Sequence, residues 1–253
     1  MKFFEKGNKK VSFEEKDPKT ILYKNLEFSA REQYNLLRTN LEFTAPKDEK
    51  CFVVGVTSSV SKEGKSITSI NLSLALAEKG NRVLLVDGDL RIPSIAKKLQ
   101  LHHSLGLTDM LMGKNIDFSS LQSEHSENLF VLTSGYIPPN PSELLGSNRM
   151  EAVLEQFKEQ FDYVIIDLPP INIVSDALSL SPMISGMVVV VREGYTGKRE
   201  LDKCIKQLEF SGANILGFVM NAEKYRGGIY NRYYRKYKRY EDYGDCPSDK
   251  NNT

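Results

Sequence analysis

The stretch from Phe52 to Asn71, FVVGVTSSVSKEGKSITSIN, limits the possible folds of this chain more than any other. An apolar run, Phe52 to Val56, enters a short polar turn, and Ile67, Ile70, Leu74 and Ala77 then recur at helical spacing. Between them stand Gly64, Lys65 and Ser66. A strand, a tight loop and a helix with Gly-Lys-Ser at the junction make a phosphate cradle. Gly64 allows the backbone to approach an anion that a Cβ would keep away. The free N–H groups that open the helix point at that anion, and the helix dipole adds to their pull. Lys65 brings a compact positive charge to the β- and γ-phosphates, and the Ser66 hydroxyl can complete the shell of a Mg²⁺ that keeps most of its waters. Ser61, Lys62, Glu63 and Ile67 complete the predicted lining of the nucleotide site. The full loop pattern has glycine five residues before Gly64, where this chain has Ser59, so support must come from elsewhere.

Two later stretches supply it. Arg82 to Val86 is a strand whose Val83–Val86 form a continuous apolar run ending in Asp87-Gly88-Asp89, and Tyr163 to Ile166 is another ending in Asp167. Unalternating apolar strands are strands buried on both faces. Further strands are expected at Leu129–Leu132, Gly186–Val191 and Ile215–Met220, with helices at Ser29–Phe43, Asn148–Gln160 and Lys198–Phe210 and short ones around Pro93–Leu99 and Leu107–Met112. Ser29 with Glu32 reads as a capping box, and Gly80-Asn81 as a helix stop. The fold class is therefore α/β: a mostly parallel, twisted sheet covered by helices on both faces, with a phosphate-loop NTPase core. Ligands of such sheets bind beyond the carboxyl ends of the strands, where Lys65, Ser66, Asp87, Asp89 and Asp167 all fall. Carboxylates there can hold Mg²⁺ directly or through water.

With a net charge of +1, the chain has no overall field that would draw it to nucleic acid or a lipid surface. Cys51, Cys204 and Cys246 match no metal or redox spacing, which suits a reducing cytoplasm. No apolar run approaches a membrane span. His102, His103 and His125 lie in polar irregular segments and carry no predicted role.

The order SSVSKEGKS, VLLVDGDLRIP and YVIIDLPP resembles the Walker A, Walker A′ and Walker B motifs of the bacterial tyrosine kinases of capsule and exopolysaccharide operons. The likeness spans roughly residues 26 to 243, and the Asp-Gly-Asp-x-Arg-x-Pro element is its most diagnostic part. The resemblance implies ATP with Mg²⁺ and transfer of the γ-phosphate to tyrosine. It matches Lys65 and Ser66 to the Walker A lysine and hydroxyl, Asp87 and Asp89 to the Walker A′ pair, and Asp167 to the Walker B acid. It makes Asp87 the candidate for activating the tyrosine hydroxyl, sets Arg91 near phosphate or the incoming tail, and sets Asn221 near adenine. The chain departs from the family where Ser61-Lys62 replaces Pro-Gly and where Leu168 replaces threonine.

Seven of the twelve tyrosines, Tyr225, Tyr230, Tyr233, Tyr234, Tyr237, Tyr240 and Tyr243, crowd a C-terminal segment rich in Arg and Lys. By composition that segment reads equally as a multi-site phospho-acceptor or as a basic, aromatic grip on nucleic acid or an acidic polymer. The resemblance favours the acceptor, since the family carries a C-terminal tyrosine cluster, and no nucleic-acid partner is then expected. In the N-terminal helix, Glu32 and Arg38 match the ends of the family's Glu-x-x-Arg-x-x-Arg element, which packs subunits into a ring; Asn35 stands at its central arginine. Asp176 is expected to open a helix, with a family-like interface role as the other reading. The expected division is an N-terminal extension and interface helix at 1–45, a kinase domain at 46–224 and a tyrosine-rich tail at 225–253. The resemblance further implies a cytoplasmic chain recruited to the inner membrane face by a membrane-anchored activator of the polysaccharide chain-length type. It also implies a cognate tyrosine phosphatase and a homo-oligomeric ring in the unphosphorylated state. Two other readings stand beside the kinase. One is a positioning ATPase of the partitioning type, which carries an extra loop lysine where this chain has Val60; the other is a non-catalytic nucleotide-binding regulator of polysaccharide assembly.

Overall fold

The computed structural model describes residues 22–46, 48–101 and 105–222. The tail tyrosines, Cys246 and the pair His102-His103 lie outside the described residues. A 3-10 turn at Tyr23–Asn25 precedes α1 (Phe28–Thr44), β1 (Phe52–Ser58), α2 (Lys65–Glu78), β2 (Val83–Asp87), α3 (Ile95–Leu99) and α4 (Leu107–Leu111). Then follow β3 (Gln122–Ser123), β4 (Ser126–Leu132), α5 (Pro141–Leu145), α6 (Asn148–Gln160), β5 (Tyr163–Asp167), α7 (Asp176–Leu180), β6 (Gly186–Arg192), α8 (Lys198–Phe210) and β7 (Ile215–Asn221).

The strands form one sheet in the order β3-β4-β2-β5-β1-β6-β7, parallel except for the β3–β4 pair. Both faces of the central strands are buried because side chains alternate between two cores. Val53, Leu84, Val164 and Val189 enter the core beneath α4, α6, α7 and α8, whereas Val54, Leu85, Ile165 and Val188 enter the core beneath α1 and α2. Leu168 is wholly buried, and a Cβ built on Gly55 would meet its side chain at 2.8 Å. The residue that departs from the family's threonine is thus a core residue here.

The structure corrects three local expectations. Helix α1 begins at Phe28 with Glu27 as its N-cap, and no side chain caps it, so Ser29 and Glu32 do not form a capping box. Glu32 instead accepts a bond from Asn35 Nδ2 at 2.7 Å, one helical turn on, which competes with the reach back to the helix start. The short strand β3 and the helix α5 are additional elements. β3 is two residues long and α5 one turn, too short for any hydrophobic period to show.

Candidate active site

The site lies where β1, β2 and β5 end. Asp87 and Asp167 are register partners on adjacent strands, so the strand spacing sets their side chains side by side. Lys65, the first residue of α2, crosses to both later strands: its Nζ donates to Asp89 Oδ2 at 2.9 Å and lies 3.6 Å from Asp167 Oδ2. Burial alone would lower the Lys65 pKa, but Asp167 and then Asp89 outweigh it and hold the ammonium above its usual value. Asp87 accepts from the backbone N–H groups of Ser94 and Ile95 at 2.9 and 3.0 Å through one oxygen, Oδ2. Burial first, and then the charge of Asp167, pushes the Asp87 pKa up to about 7 against those two bonds. Burial likewise raises Asp167, opposed by Lys65. Asp89 turns one oxygen to the N–H of Ile92 at 3.0 Å.

Two oxygens in this cluster are buried without a hydrogen-bond partner, Asp87 Oδ1 and Asp167 Oδ2. Buried carboxylate oxygens left unmatched are costly unless a ligand completes them. Beside them the Ser66 hydroxyl accepts from Ser94 Oγ at 3.0 Å, and Asp167 Oδ1 accepts from Ser69 Oγ at 3.2 Å. Among the described residues no group of three or more His, Cys, Asp or Glu side chains forms a metal cage. The unpartnered oxygens of Asp87 and Asp167, with the Ser66 hydroxyl beside them, fit the chemistry of a Mg²⁺ that takes few protein ligands and keeps several waters.

The phosphate loop is braced from outside. Gly64 caps α2 at φ 99°, and a Cβ there would fall 1.9 Å from Asn221 Nδ2. Asn221, at the end of β7, donates to the Glu63 carbonyl at 2.8 Å, which puts it over the loop. Glu63 is fully buried; it accepts from the Val60 N–H at 2.9 Å and from the Thr196 hydroxyl. Its carboxylate shapes the loop from within and does not face a ligand. Arg192 Nη1 donates to the Lys62 carbonyl at 3.0 Å. Lys62 itself sits at φ 67°, the left-handed region, so the position where the family has glycine keeps a glycine conformation under a side chain that resists it. Ser61 and Lys62 are exposed, and Ile67 follows Ser66 in the first turn of α2.

Arg91 has a partner that the sequence did not announce. Its Nε and Nη2 donate to the two oxygens of Asp176 at 2.8 and 2.9 Å. Asp176 opens α7, is wholly buried, and also accepts from Ser142 Oγ. A buried carboxylate needs a cation, and Arg91 supplies it while staying close enough to Asp89 to feel its charge. Of the predicted interface residues, Arg38 Nη1 donates to the Ala75 carbonyl of α2 at 2.8 Å, and Glu32 is bound to Asn35. Asn35 also accepts from Tyr23 Oη, which fastens the preceding turn to α1. Thus the structure brings together Lys65, Ser66, Asp87, Asp89 and Asp167, hangs Asn221 over the loop, and holds Arg91, Glu32 and Arg38 in other contacts. Sequence reasoning missed Ser94, Thr196 and Arg192. Ser94 showed one faint sign, a serine just before an apolar helix; the Thr196–Glu63 contact spans 133 residues and leaves no local trace.

A phosphate loop between a central strand and its helix, with acids at the ends of the two neighbouring strands, defines the P-loop NTPase class. A family model described as an AAA domain matches residues 59–211. The chain is 40% identical over 180 residues to the tyrosine-protein kinase YwqD of Bacillus subtilis (strain 168), a match covering 71% of this chain and 76% of that protein. The kinase domain of the Escherichia coli tyrosine kinase ETK superposes with a TM-score of 0.73 at 32% identity, over 79% of this chain and 78% of that one. The septum site-determining protein MinD from Pyrococcus horikoshii OT3, complexed with Mg-ADP, shares the fold at a TM-score of 0.57 and 23% identity, over 72% of this chain and 75% of that one. The chain belongs to the bacterial tyrosine kinases.

Proposed function

We propose that this chain uses ATP and Mg²⁺ to phosphorylate tyrosines of its own C-terminal segment, between subunits, and so regulates the synthesis of a capsular or extracellular polysaccharide. The observation that carries the reading is the pairing of Lys65 with Asp89 and Asp167 beside the unpartnered Asp87 Oδ1. When bound, Mg²⁺ supplies charge neutralisation across the phosphates. Lys65 moves its charge from the carboxylates to the γ-phosphate as negative charge spreads over the equatorial oxygens. Asp87, at the end of β2 beside Lys65, accepts the proton of the attacking tyrosine hydroxyl. That oxygen forms its bond to the γ-phosphorus as the bond to the β-phosphate oxygen breaks, leaving ADP. In this reading Asn221, at the end of β7, flanks the adenine.

The acceptors in this reading are Tyr225, Tyr230, Tyr233, Tyr234, Tyr237, Tyr240 and Tyr243, in a tail at 225–253 that follows a kinase domain at 46–224. The partners are a membrane-anchored activator, which holds the cytoplasmic chain at the inner membrane face, and a tyrosine phosphatase. Among the described residues no helix is long and apolar enough to cross a membrane. A ring of subunits through Glu32 and Arg38 requires those side chains to leave their present contacts in part. The partitioning-type alternative loses ground because Val60 stands where its extra loop lysine would be.

The test is phosphotyrosine content after incubation with ATP, Mg²⁺ and the activator's cytoplasmic segment. Lys65→Met loses a transition-state contact of a kind worth about 10²–10³ in rate. Undiminished phosphotyrosine in the folded variant excludes the site.

A further inference from the structure

A groove of about 960 Å³ runs between α7 and α8, on the sheet face opposite α2. Arg199, Lys203 and Lys206 line it, against one acid, Asp202. These three cations follow one another at helical spacing along α8 and have no ion-pair partner among the described residues. Gln207 also lines the groove, and its Oε1 is buried with no hydrogen-bond partner. Phe210 closes one end and is 95% exposed. The groove thus offers cations for phosphate, an aromatic face, and an acceptor in need of an N–H. A phosphate ion satisfies only the first of these; a phosphorylated peptide satisfies all three, since its backbone supplies the N–H.

The chain itself carries such a peptide to this place. Asn221 ends β7, and its carbonyl accepts from the N–H of Glu193 at 3.0 Å. Glu193 belongs to the turn that leads into α8 at Lys198, so the chain leaves the sheet beside the α8 end that carries Arg199. Thirty-one residues follow Ala222. At about 3.3 Å per residue, Tyr230 can reach roughly 26 Å from Ala222. Helix α8, with its 13 residues, is about 20 Å long. Unmodified, residues 225–245 hold six Arg or Lys and three Asp or Glu, and a basic groove repels them. Each phosphate adds about −1.5 to −2 charge, so two or three reverse that sign.

We propose that the groove between α7 and α8 is the docking site of the chain's own tyrosine-phosphorylated tail. The inference rests on the tail being phosphorylated, as in the function above. It gives the modified segment a resting place away from the acid cluster. Arg199, Lys203 and Lys206 bind the phosphates, Gln207 Oε1 accepts a backbone N–H, and Phe210 packs on a tyrosine ring. The unmodified tail stays out, so the dock reads modification state.

The experiment uses the full-length chain in its unphosphorylated form and labelled synthetic peptides of residues 225–243, with phosphotyrosine or tyrosine at 230, 233 and 234. Binding is followed by fluorescence anisotropy. The phosphopeptide binds at least tenfold more tightly than the plain one. Lys203→Glu combined with Lys206→Glu lowers its affinity at least tenfold, Gln207→Leu severalfold, and Lys158→Glu on α6 leaves it unchanged; circular dichroism verifies that each variant is folded. Equal affinity for the two peptides, binding unaffected by the paired reversal, or equal binding of a scrambled phosphopeptide overturns the proposal. The phosphates are installed by synthesis, so the result is independent of the chain's catalysis. A chain that binds the phosphopeptide but never makes phosphotyrosine refutes the kinase reading and leaves the dock standing.

Discussion

Replacing Asp87 with asparagine should make the nucleotide-free protein more stable at pH 8 while it abolishes phosphotransfer. Asp87 has a folded pKa of about 7, raised from its ordinary value of 3.8 by burial and by Asp167. The native state therefore binds more protons than the unfolded chain between about pH 4 and pH 7. Stability from the protonated group is fully present below about pH 4 and is lost as pH rises through about 7. At about 1.4 kcal/mol per unit, holding Asp87 ionised costs about 4 kcal/mol at pH 8. Asparagine removes that cost and keeps an acceptor for the N–H groups of Ser94 and Ile95. Its amide places a donor where Oδ1 has no partner, which costs about 1–3 kcal/mol. The net gain at pH 8 is about 2 kcal/mol, or about 4–8 °C in Tm. At pH 5 most of the ionisation cost is gone, and the same substitution is neutral or mildly destabilising. Urea denaturation at the two pH values, without nucleotide or Mg²⁺, measures both. A stability difference that does not change with pH, or a loss at pH 8, refutes the reasoning. Autophosphorylation near the wild-type rate would separately remove Asp87 from the chemistry.

Three further outcomes follow from the same geometry. Lys62→Val puts a β-branched side chain at φ 67° and should cost about 2 kcal/mol, whereas Lys62→Gly, trading strain for unfolded-state entropy, should stay within about 0.5 kcal/mol, both read from denaturant midpoints. Arg91→Ala strands a fully buried Asp176 and should cost about 3 kcal/mol, while Asp176→Ala leaves an arginine that already reaches water and should cost about 1 kcal/mol; equal losses in thermal melts would contradict this asymmetry. Replacing all seven tail tyrosines with phenylalanine should leave ATP binding intact, remove most phosphotyrosine and keep the protein associated. Phosphotyrosine analysis with mass measurement in the activator's presence checks this, and undiminished phosphotyrosine would sink the acceptor assignment.

Most of the fold was legible because buried parallel strands read as unbroken apolar runs, and β1, β2, β5 and β6 are such runs. Their order in space was not legible, since nothing local in Phe52–Ser58 says that β5 and β6 flank it. The positions of Lys65, Ser66 and the three aspartates could be read because each sits at a fixed step from a recognisable strand end. What surrounds them could not. Glu63 looks in sequence like a loop residue for the ligand, and only the distant Thr196 shows that it faces inward. The partner of Arg91 was hidden for a similar reason: it lies 85 residues away, in an element that a single aspartate announces only as a helix start. Ser29 and Glu32 carry the correct capping spacing, but the helix begins one residue earlier.

The bracing of the phosphate loop has a thermodynamic consequence. The Val60 N–H and the carbonyls of Lys62 and Glu63 are each held by a side chain of the protein, before any phosphate arrives. The conformational entropy of the loop is therefore lost when the chain folds, not when nucleotide binds. Nucleotide meets a rigid receptor, and its association enthalpy is not offset by freezing the backbone. Because two of these braces come from the ends of β6 and β7, the affinity of the loop depends on the integrity of that side of the sheet, which no phosphate touches.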